Sequence, residues 1–240
     1  MNVYAIDIET AADPQLVALA LSKEPRFSAP RNYKDLEKVA AYVETAAAEW
    51  RAGIVADAGL SPRTGRVVCF GIYDVGSAHD HTCHVGGSSG PAVLSVSGHA
   101  DERELLECVA ATLGESPSTV IVTFNGVAFD VPFLRWRMVR HGIAVPACLR
   151  PNFGRYAGPH HYDLRLILSE GDRRAPGTLE SWALALGASD VPHKAGMDGS
   201  DVQAYVDAGR WAELADYCAR DVLATAGVWA KVSPLLVATA

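Results

Sequence analysis

The chain has 240 residues, of which 49% are hydrophobic and 20% are charged. This composition is typical of a globular protein and excludes a disordered, collagen-like or coiled-coil chain. The net charge of −7 argues against a protein that holds nucleic acid by a broad basic surface.

The first part of the chain predicts a strand, a helical segment and further strands. Residues 3–8 form a short apolar run, which indicates a buried strand. Residues 13–62 follow a mainly helical pattern, and we interpret them as an insertion between the first two strands. A hairpin is predicted from two strands at 66–75 and 79–85, and the Gly- and Ser-rich residues 86–98 are predicted to be a loop.

The second part alternates helices and strands. A helix is predicted at 101–113, a fully apolar strand at 119–124, and a helix from 130 to about 141. Beyond these, helices are predicted at 163–168, 178–186, 202–207 and 211–231. Three strands followed by alternating helix and strand indicate a layered α/β domain with a mixed sheet. We interpret residues 1–240 as a single domain.

Cysteine usage and the absence of long apolar runs bear on localisation. The five cysteines are scattered and form no C-x-x-C pair, which argues against a disulfide framework or a zinc ribbon. The N-terminal MNVYAIDIET lacks the pattern of a signal peptide, and no apolar run approaches the roughly 18 residues of a membrane span. We therefore expect a cytoplasmic protein with no membrane partner.

An acid pair lies in the first predicted strand. Asp7 and Glu9 are two residues apart, so both side chains leave the same face of the sheet. Two neighbouring carboxylates in an apolar setting repel each other and are costly to desolvate, and a divalent cation would offset both penalties. The alternative is a strand end whose acids face water.

Further acids follow a predicted strand and lie on the last helix. Asp130 comes at a strand-to-helix turn, a usual location for catalytic side chains, although taken alone it is interpreted as a helix cap. Tyr217 and Asp221 are four residues apart and share one helix face, a spacing that is weak evidence alone. Their order along the chain allows all these acids to converge at one edge of one sheet.

The ordered set Asp7, Glu9, Asp130 and Asp221, with Tyr217 four residues before the last acid, resembles the tyrosine-bearing (DEDDy) branch of the DEDD superfamily of 3′–5′ exonucleases. It is most similar to the proofreading-type exonuclease domains of family B DNA polymerases and their stand-alone relatives. The likeness extends to the segments YAIDIET, FNGVAFDVPFL, HYDL and YCARDVLAT. The resemblance implies an RNase H-like, three-layer α/β fold with a central mixed β-sheet flanked by helices.

The resemblance also implies two-metal hydrolysis of a terminal phosphodiester, with two Mg²⁺ or Mn²⁺ ions. By position, Asp7, Glu9 and Asp221 would hold the ion that activates water. Asp7 would bridge to a second ion, assisted by Asp130, and Tyr217 would orient the attacking water. The resemblance also assigns contacts with the terminal nucleotide to Thr10, Asn125 and Phe129. Phe129 would stack on this nucleotide or else pack in the core.

The resemblance implies a substrate and leaves alternatives open. We expect 3′ ends of DNA, preferably single-stranded, with release of nucleoside 5′-monophosphates. RNA 3′ ends are the nearest alternative because no residue visibly selects for or against a 2′-hydroxyl, and a non-catalytic nucleic-acid-binding module is a third. Proofreading would act in trans, with replication or repair proteins as possible partners.

Two further residues have simpler interpretations. Asp163 heads a predicted helix and is interpreted as its cap. Lys194 lies in a Gly-rich stretch and could reach a phosphate or be a solvated loop lysine.

Overall fold

The computed structural model describes residues 2–75, 92–95, 98–99, 101–151, 160–172, 174–188 and 197–236. The chain forms two compact units. The larger unit comprises Met1–Glu9 and Val67–Ala240, and the smaller unit comprises Thr10–Arg66. The predicted strand at 79–85 lies outside the described residues.

A five-stranded sheet has the strand order β3-β2-β1-β4-β5. Its strands are β1 (Val3–Ala12), β2 (Gly65–Asp74), β3 (Ala92–Ser95), β4 (Val120–Thr123) and β5 (His161–Asp163). β4 pairs in parallel with both β1 and β5, whereas β2 and β3 pair antiparallel. The sheet is therefore mixed, which confirms that prediction.

Two strands were not predicted from the sequence. β3 falls inside residues 86–98, so the prediction of an uninterrupted loop there is wrong. β5 precedes a helix in a stretch predicted to be mainly helical. With four and three residues, both strands are too short to show a period of two, and they are defined by pairing with β2 and β4.

The predicted helices of the larger unit are present. The helices of the described residues are α1 (Pro14–Leu21), α2 (Leu36–Ala56), α3 (Glu102–Gly114), α4 (Asp130–His141), α5 (Leu164–Leu168), α6 (Leu179–Ala185), α7 (Val202–Asp207) and α8 (Trp211–Leu236). Among the described residues, no helix has both the length and the apolar character needed to cross a membrane. α8 extends beyond its predicted end at 231.

The larger unit has three layers, because alternate residues of β4 face opposite sides of the sheet. Ile121 belongs to an apolar cluster with residues of α3 and α4, including Leu105 and Leu134. Val122 belongs to a second cluster with residues of α5, α6 and α8, including Trp229. The sheet is thus buried on both faces, as expected for parallel central strands.

A buried ion network joins α3, α4 and β2. Arg137 is 1% exposed and Glu102 is 6% exposed. The Arg137 guanidinium donates two hydrogen bonds to the Glu102 carboxylate, one of them from Nε to Oε1 at 2.8 Å. The Val67 backbone N–H donates to the same Oε1 at 2.8 Å, and His141 Nε2 lies 3.0 Å from Oε2. This network ties α3 and α4 to each other and to the start of β2.

The smaller unit contains α1 and α2. Each begins with an aspartate whose carboxylate accepts from backbone N–H groups of the first turn, Asp13 for α1 and Asp35 for α2. Leu16 and Ala47 are buried within these helices. Most of α2 is exposed.

Candidate active site

The alternation of β1 places Asp7 and Glu9 on the side of the sheet that α8 covers. Ile6 and Ile8 belong to the cluster formed with α3 and α4. Ala5 belongs to a small cluster with residues of α8. Because side chains alternate along a strand, Asp7 and Glu9 share the face of Ala5. The acid pair of the first strand therefore faces the last helix.

α8 approaches β1 and β2 closely because small residues line the contact. A Cβ placed on Gly71 would lie 2.5 Å from Val222 Cγ2 and 2.9 Å from Cys218 Sγ. Real Cβ atoms do not approach other atoms this closely, so Gly71 is required by the packing rather than by its backbone angles. The side chain of Ala5, in the neighbouring strand, is fully buried.

Tyr217 and Asp221 lie on the face of α8 that meets the acid pair. Tyr217 is buried, and its pKa is raised by burial and then by the negative charges of Asp221, Glu9 and Asp7. A hydrogen bond between Tyr217 and Asp221 raises the pKa further. The Tyr217 side chain is therefore a neutral phenol at physiological pH and can donate a hydrogen bond.

Cys218 completes a cluster that the sequence argument did not identify. One potential ligand atom from each of Asp7, Glu9 and Cys218 lies within 4.8 Å of the others. The Cys218 thiol donates to the Asp7 carbonyl oxygen at 3.9 Å. A hydrogen bond with Cys69, then burial, raise the pKa of the Cys218 thiol, which keeps it protonated. The carboxylates are consequently the anionic donors of the cluster.

Asp130 is the first residue of α4 rather than its cap, so the capping interpretation is wrong. The N-cap position belongs to Phe129 and has no side-chain capping hydrogen bond. The Asp130 carboxylate instead accepts from the Ile8 backbone N–H at 3.2 Å, between the two acids of β1. Burial, with the charges of Asp163 and Asp221 adding to it, raises the pKa of Asp130 to about 7.

Asn125 lies in the loop between β4 and α4 and has a left-handed backbone, with φ of 71°. Asp163 fixes this loop: its carboxylate accepts from the N–H groups of Asn125 at 3.0 Å and Val127 at 2.9 Å. The same carboxylate caps α5, which confirms its interpretation as a helix cap. Its second role joins residues 36 and 38 positions apart in the chain, and no local pattern indicates it.

Buried hydrogen bonds also hold the loop between β4 and α4 in place. Thr123 Oγ1 accepts from the Gly126 N–H at 3.1 Å and lies 2.8 Å from His161 Nε2. Burial lowers the pKa of His161 to about 4, although the charge of Asp163 opposes this. His161 is therefore neutral at physiological pH.

The remaining predicted residues have different surroundings. Phe129 is half-buried and packs on Phe133, with ring centroids 5.6 Å apart. Thr10 belongs to the smaller unit, where its hydroxyl donates to the Gly59 carbonyl at 2.6 Å. Lys194 lies outside the described residues.

The donor set of the site suits hard divalent cations. Asp7 and Glu9 meet on one strand face, Asp221 affects the pKa of both Tyr217 and Asp130, and Asp130 is buried. Carboxylate oxygens are the ligands that Mg²⁺ and Mn²⁺ prefer. Acids held this close raise one another's pKa unless positive charge is supplied. The residues present therefore fit divalent cations.

Comparison with known proteins identifies a family for this chain. A family model described as "Predicted 3′-5′ exonuclease related to the exonuclease domain of PolB" matches residues 82–236. No protein with a curated description matches the chain. The structure is similar to that of the family B DNA polymerase from the hyperthermophilic archaeon Pyrobaculum calidifontis, with a TM-score of 0.59 and 20% identity over 98% of this chain. The chain spans 25% of the length of that polymerase.

Proposed function

Because the chain belongs to the family of predicted 3′–5′ exonucleases related to the exonuclease domain of PolB, we propose that it hydrolyses the terminal phosphodiester at single-stranded 3′ ends of DNA. Water attacks the phosphorus, the bond from phosphorus to the 3′ oxygen of the preceding nucleotide breaks, and a nucleoside 5′-monophosphate leaves. The preceding nucleotide keeps a 3′-hydroxyl and becomes the next substrate.

The observation that supports this proposal best is the meeting of acids from three separate elements. Asp7 and Glu9 face α8, which carries Asp221 next to Tyr217, and Asp130 returns from α4 to the Ile8 N–H of the same strand. We assign Asp7, Glu9, Asp130 and Asp221 as ligands of two Mg²⁺ or Mn²⁺ ions. When bound, such ions lower the pKa of the attacking water and neutralise charge on the phosphate.

Tyr217 positions the attacking water in this proposal and does not deprotonate it. Burial raises the pKa of Tyr217 and so favours the protonated phenol, which can orient a water by hydrogen bonding without taking its proton. Its hydroxyl hydrogen bonds to Asp221 and can turn toward a water held beside the same carboxylate. Burial of the ring limits the motion of the hydroxyl.

The test uses 5′-labelled single-stranded DNA and RNA of matched sequence. With Mg²⁺ or Mn²⁺, the wild-type protein should shorten the DNA stepwise and release 5′-monophosphates, and chelation should stop the reaction. Asp7→Asn should abolish hydrolysis, whereas Asp207→Asn, which changes an exposed aspartate, should not. Tyr217→Phe should lower the single-turnover rate by about 10- to 100-fold with little change in melting temperature.

Other outcomes of this test would contradict parts of the proposal. Internal cuts in circular single-stranded DNA would exclude an exonuclease. Faster degradation of RNA than of DNA would assign the chain as an exoribonuclease. A wild-type rate in Tyr217→Phe would mean that Tyr217 only packs the helix.

A further inference from the structure

A cavity of about 240 Å³ lies beside the loop between β4 and α4. Its walls are formed by the side chains of Asn125, Val127, Ala128, Asp163, Arg165 and Leu166. Apolar walls with a few convergent polar groups are typical of a subsite for part of a ligand. The loop that forms the cavity ends at Asp130, so the cavity belongs to the same strand-to-helix connection as a proposed metal ligand.

Asp163 adds little capacity to bind a ligand in this cavity. Besides the loop N–H groups of Asn125 and Val127, its carboxylate accepts from the N–H groups of Arg165 at 3.0 Å and Leu166 at 3.4 Å. The side chain is 2% exposed. Four backbone donors thus occupy both carboxylate oxygens, and binding a ligand falls to the other polar groups.

Arg165 supplies the positive charge of the cavity wall. One terminal nitrogen of its guanidinium donates to Asn125 Oδ1 at 3.1 Å. Among the described residues, its buried Nε has no hydrogen-bond partner. A guanidinium has five N–H donors in a planar fork, and donors without acceptors are costly when they are buried. Within the described part of the chain this fork is therefore incompletely satisfied, and phosphate oxygens match its geometry.

We propose that Arg165 binds a phosphate of the DNA strand whose 3′ end enters the site. This inference rests on the proposed function, because it assigns a contact within that substrate. Val127 and Leu166 provide an apolar surface for a base, and Arg165 aligns the Asn125 amide through their shared hydrogen bond. Arg165 thus serves both as a phosphate ligand and as the residue that positions Asn125.

The test compares Arg165→Met and Arg165→Lys with Arg140→Met, which removes an exposed arginine from α4. All variants are made in an Asp7→Asn background without divalent cations, so that single-stranded DNA is bound and not consumed. Fluorescence anisotropy at several salt concentrations gives Kd and the slope of log K against log salt. Melting temperatures establish that each variant is folded.

We expect Arg165→Met to raise Kd by about tenfold, as for loss of a charged hydrogen bond. The salt slope should become shallower by about 0.7, the value for one phosphate contact to a single strand. Arg165→Lys should restore the slope, since the charge remains, and only part of the affinity, since the fork is lost. Arg140→Met should change neither quantity appreciably.

Equal slopes for Arg165→Met and Arg140→Met would overturn the phosphate contact. A loss of affinity without a change of slope would mean that Arg165 only positions Asn125. If either of these results is found and the wild-type protein still hydrolyses DNA, the proposed function stands and only this inference fails. If that protein neither binds nor hydrolyses DNA, the proposed function fails as well.

Discussion

Replacement of Asp130 by asparagine should stabilise the metal-free protein while removing a proposed ligand. The Asp130 carboxyl is buried, and its pKa is raised from 3.8 to about 7. In the unfolded chain the group ionises near 3.8, so the folded protein binds the extra proton between these two values. Stability therefore falls as the pH rises through this window, because the folded state must finally bury a charge.

The magnitude follows from the two pKa values. A pKa difference from 3.8 to about 7 corresponds to a cost of about 4 kcal/mol in the free energy of unfolding once the carboxyl is ionised. Asparagine is isosteric, keeps an oxygen that can accept from the Ile8 N–H, and carries no charge. Asp130→Asn should thus exceed the wild type by up to about 4 kcal/mol near pH 8, and by about 2 kcal/mol near pH 5.

Urea denaturation in chelator at several pH values measures this difference, with Asp163→Asn as the matched control. Asp163 is equally buried, but its carboxylate accepts four backbone hydrogen bonds. Asparagine replaces one of these oxygens by an amide nitrogen, which accepts no hydrogen bond, so Asp163→Asn should lose about 1–3 kcal/mol. The reasoning is refuted if Asp130→Asn is less stable than the wild type near pH 8, or if its advantage does not shrink as the pH falls.

Three further predictions test the packing and the buried charges. Gly71→Ala should push α8 away from β2, lower the free energy of unfolding by about 1–3 kcal/mol and weaken Mn²⁺ binding measured by calorimetry. Gly114 has open space around it, so Gly114→Ala should change neither the stability nor Mn²⁺ binding. Glu102→Gln should cost about 3–5 kcal/mol in urea denaturation, because it removes the carboxylate that balances the buried Arg137, whereas the exposed Glu107→Gln should cost less than about 1 kcal/mol. Burial lowers the pKa of His161 from 6.5 to about 4, so the unfolded chain takes up the proton first as the pH falls. The folded state is therefore stabilised by about 3 kcal/mol above pH 6.5, and this stabilisation is lost as the pH falls toward 4. His161→Gln should show a flatter pH dependence than the wild type over this range, and parallel curves would contradict the burial argument.

Long periodic elements of this chain are predictable from sequence, because their own residues define them. α8 and α3 repeat apolar positions at helical spacing, and Leu105, Leu106 and Val109 are buried as the pattern predicts. β3 and β5 escape prediction because pairing with a neighbour, and not local composition, makes them strands. The family matched over residues 82–236 confirms the resemblance inferred from the ordered acids.

The sequence predicts which acids form the candidate site, but it does not predict the contacts that hold the neighbouring loop in place. The order of the acids along the chain identified Asp7, Glu9, Asp130 and Asp221, whose proposed roles stay predictions. The predicted start of α4 at residue 130 is correct, but the capping role of Asp130 is wrong, because only the tertiary contact with Ile8 shows where its carboxylate lies. The supporting contacts of Asp163 and Arg165 depend on chain segments that the fold alone brings together.

The geometry of the site depends on the residue spacing in β1, on the residue spacing in α8 and on the distance between these two elements. A period of two turns both acids of β1 toward α8, and a spacing of four residues turns Tyr217 and Asp221 toward β1. Neither arrangement would bring the acids together if the helix lay at an ordinary distance from the sheet. The missing side chain of Gly71 permits the close approach, since a Cβ there would overlap Val222 and Cys218. Gly71 therefore permits the approach of α8 that brings the acids of the two elements together.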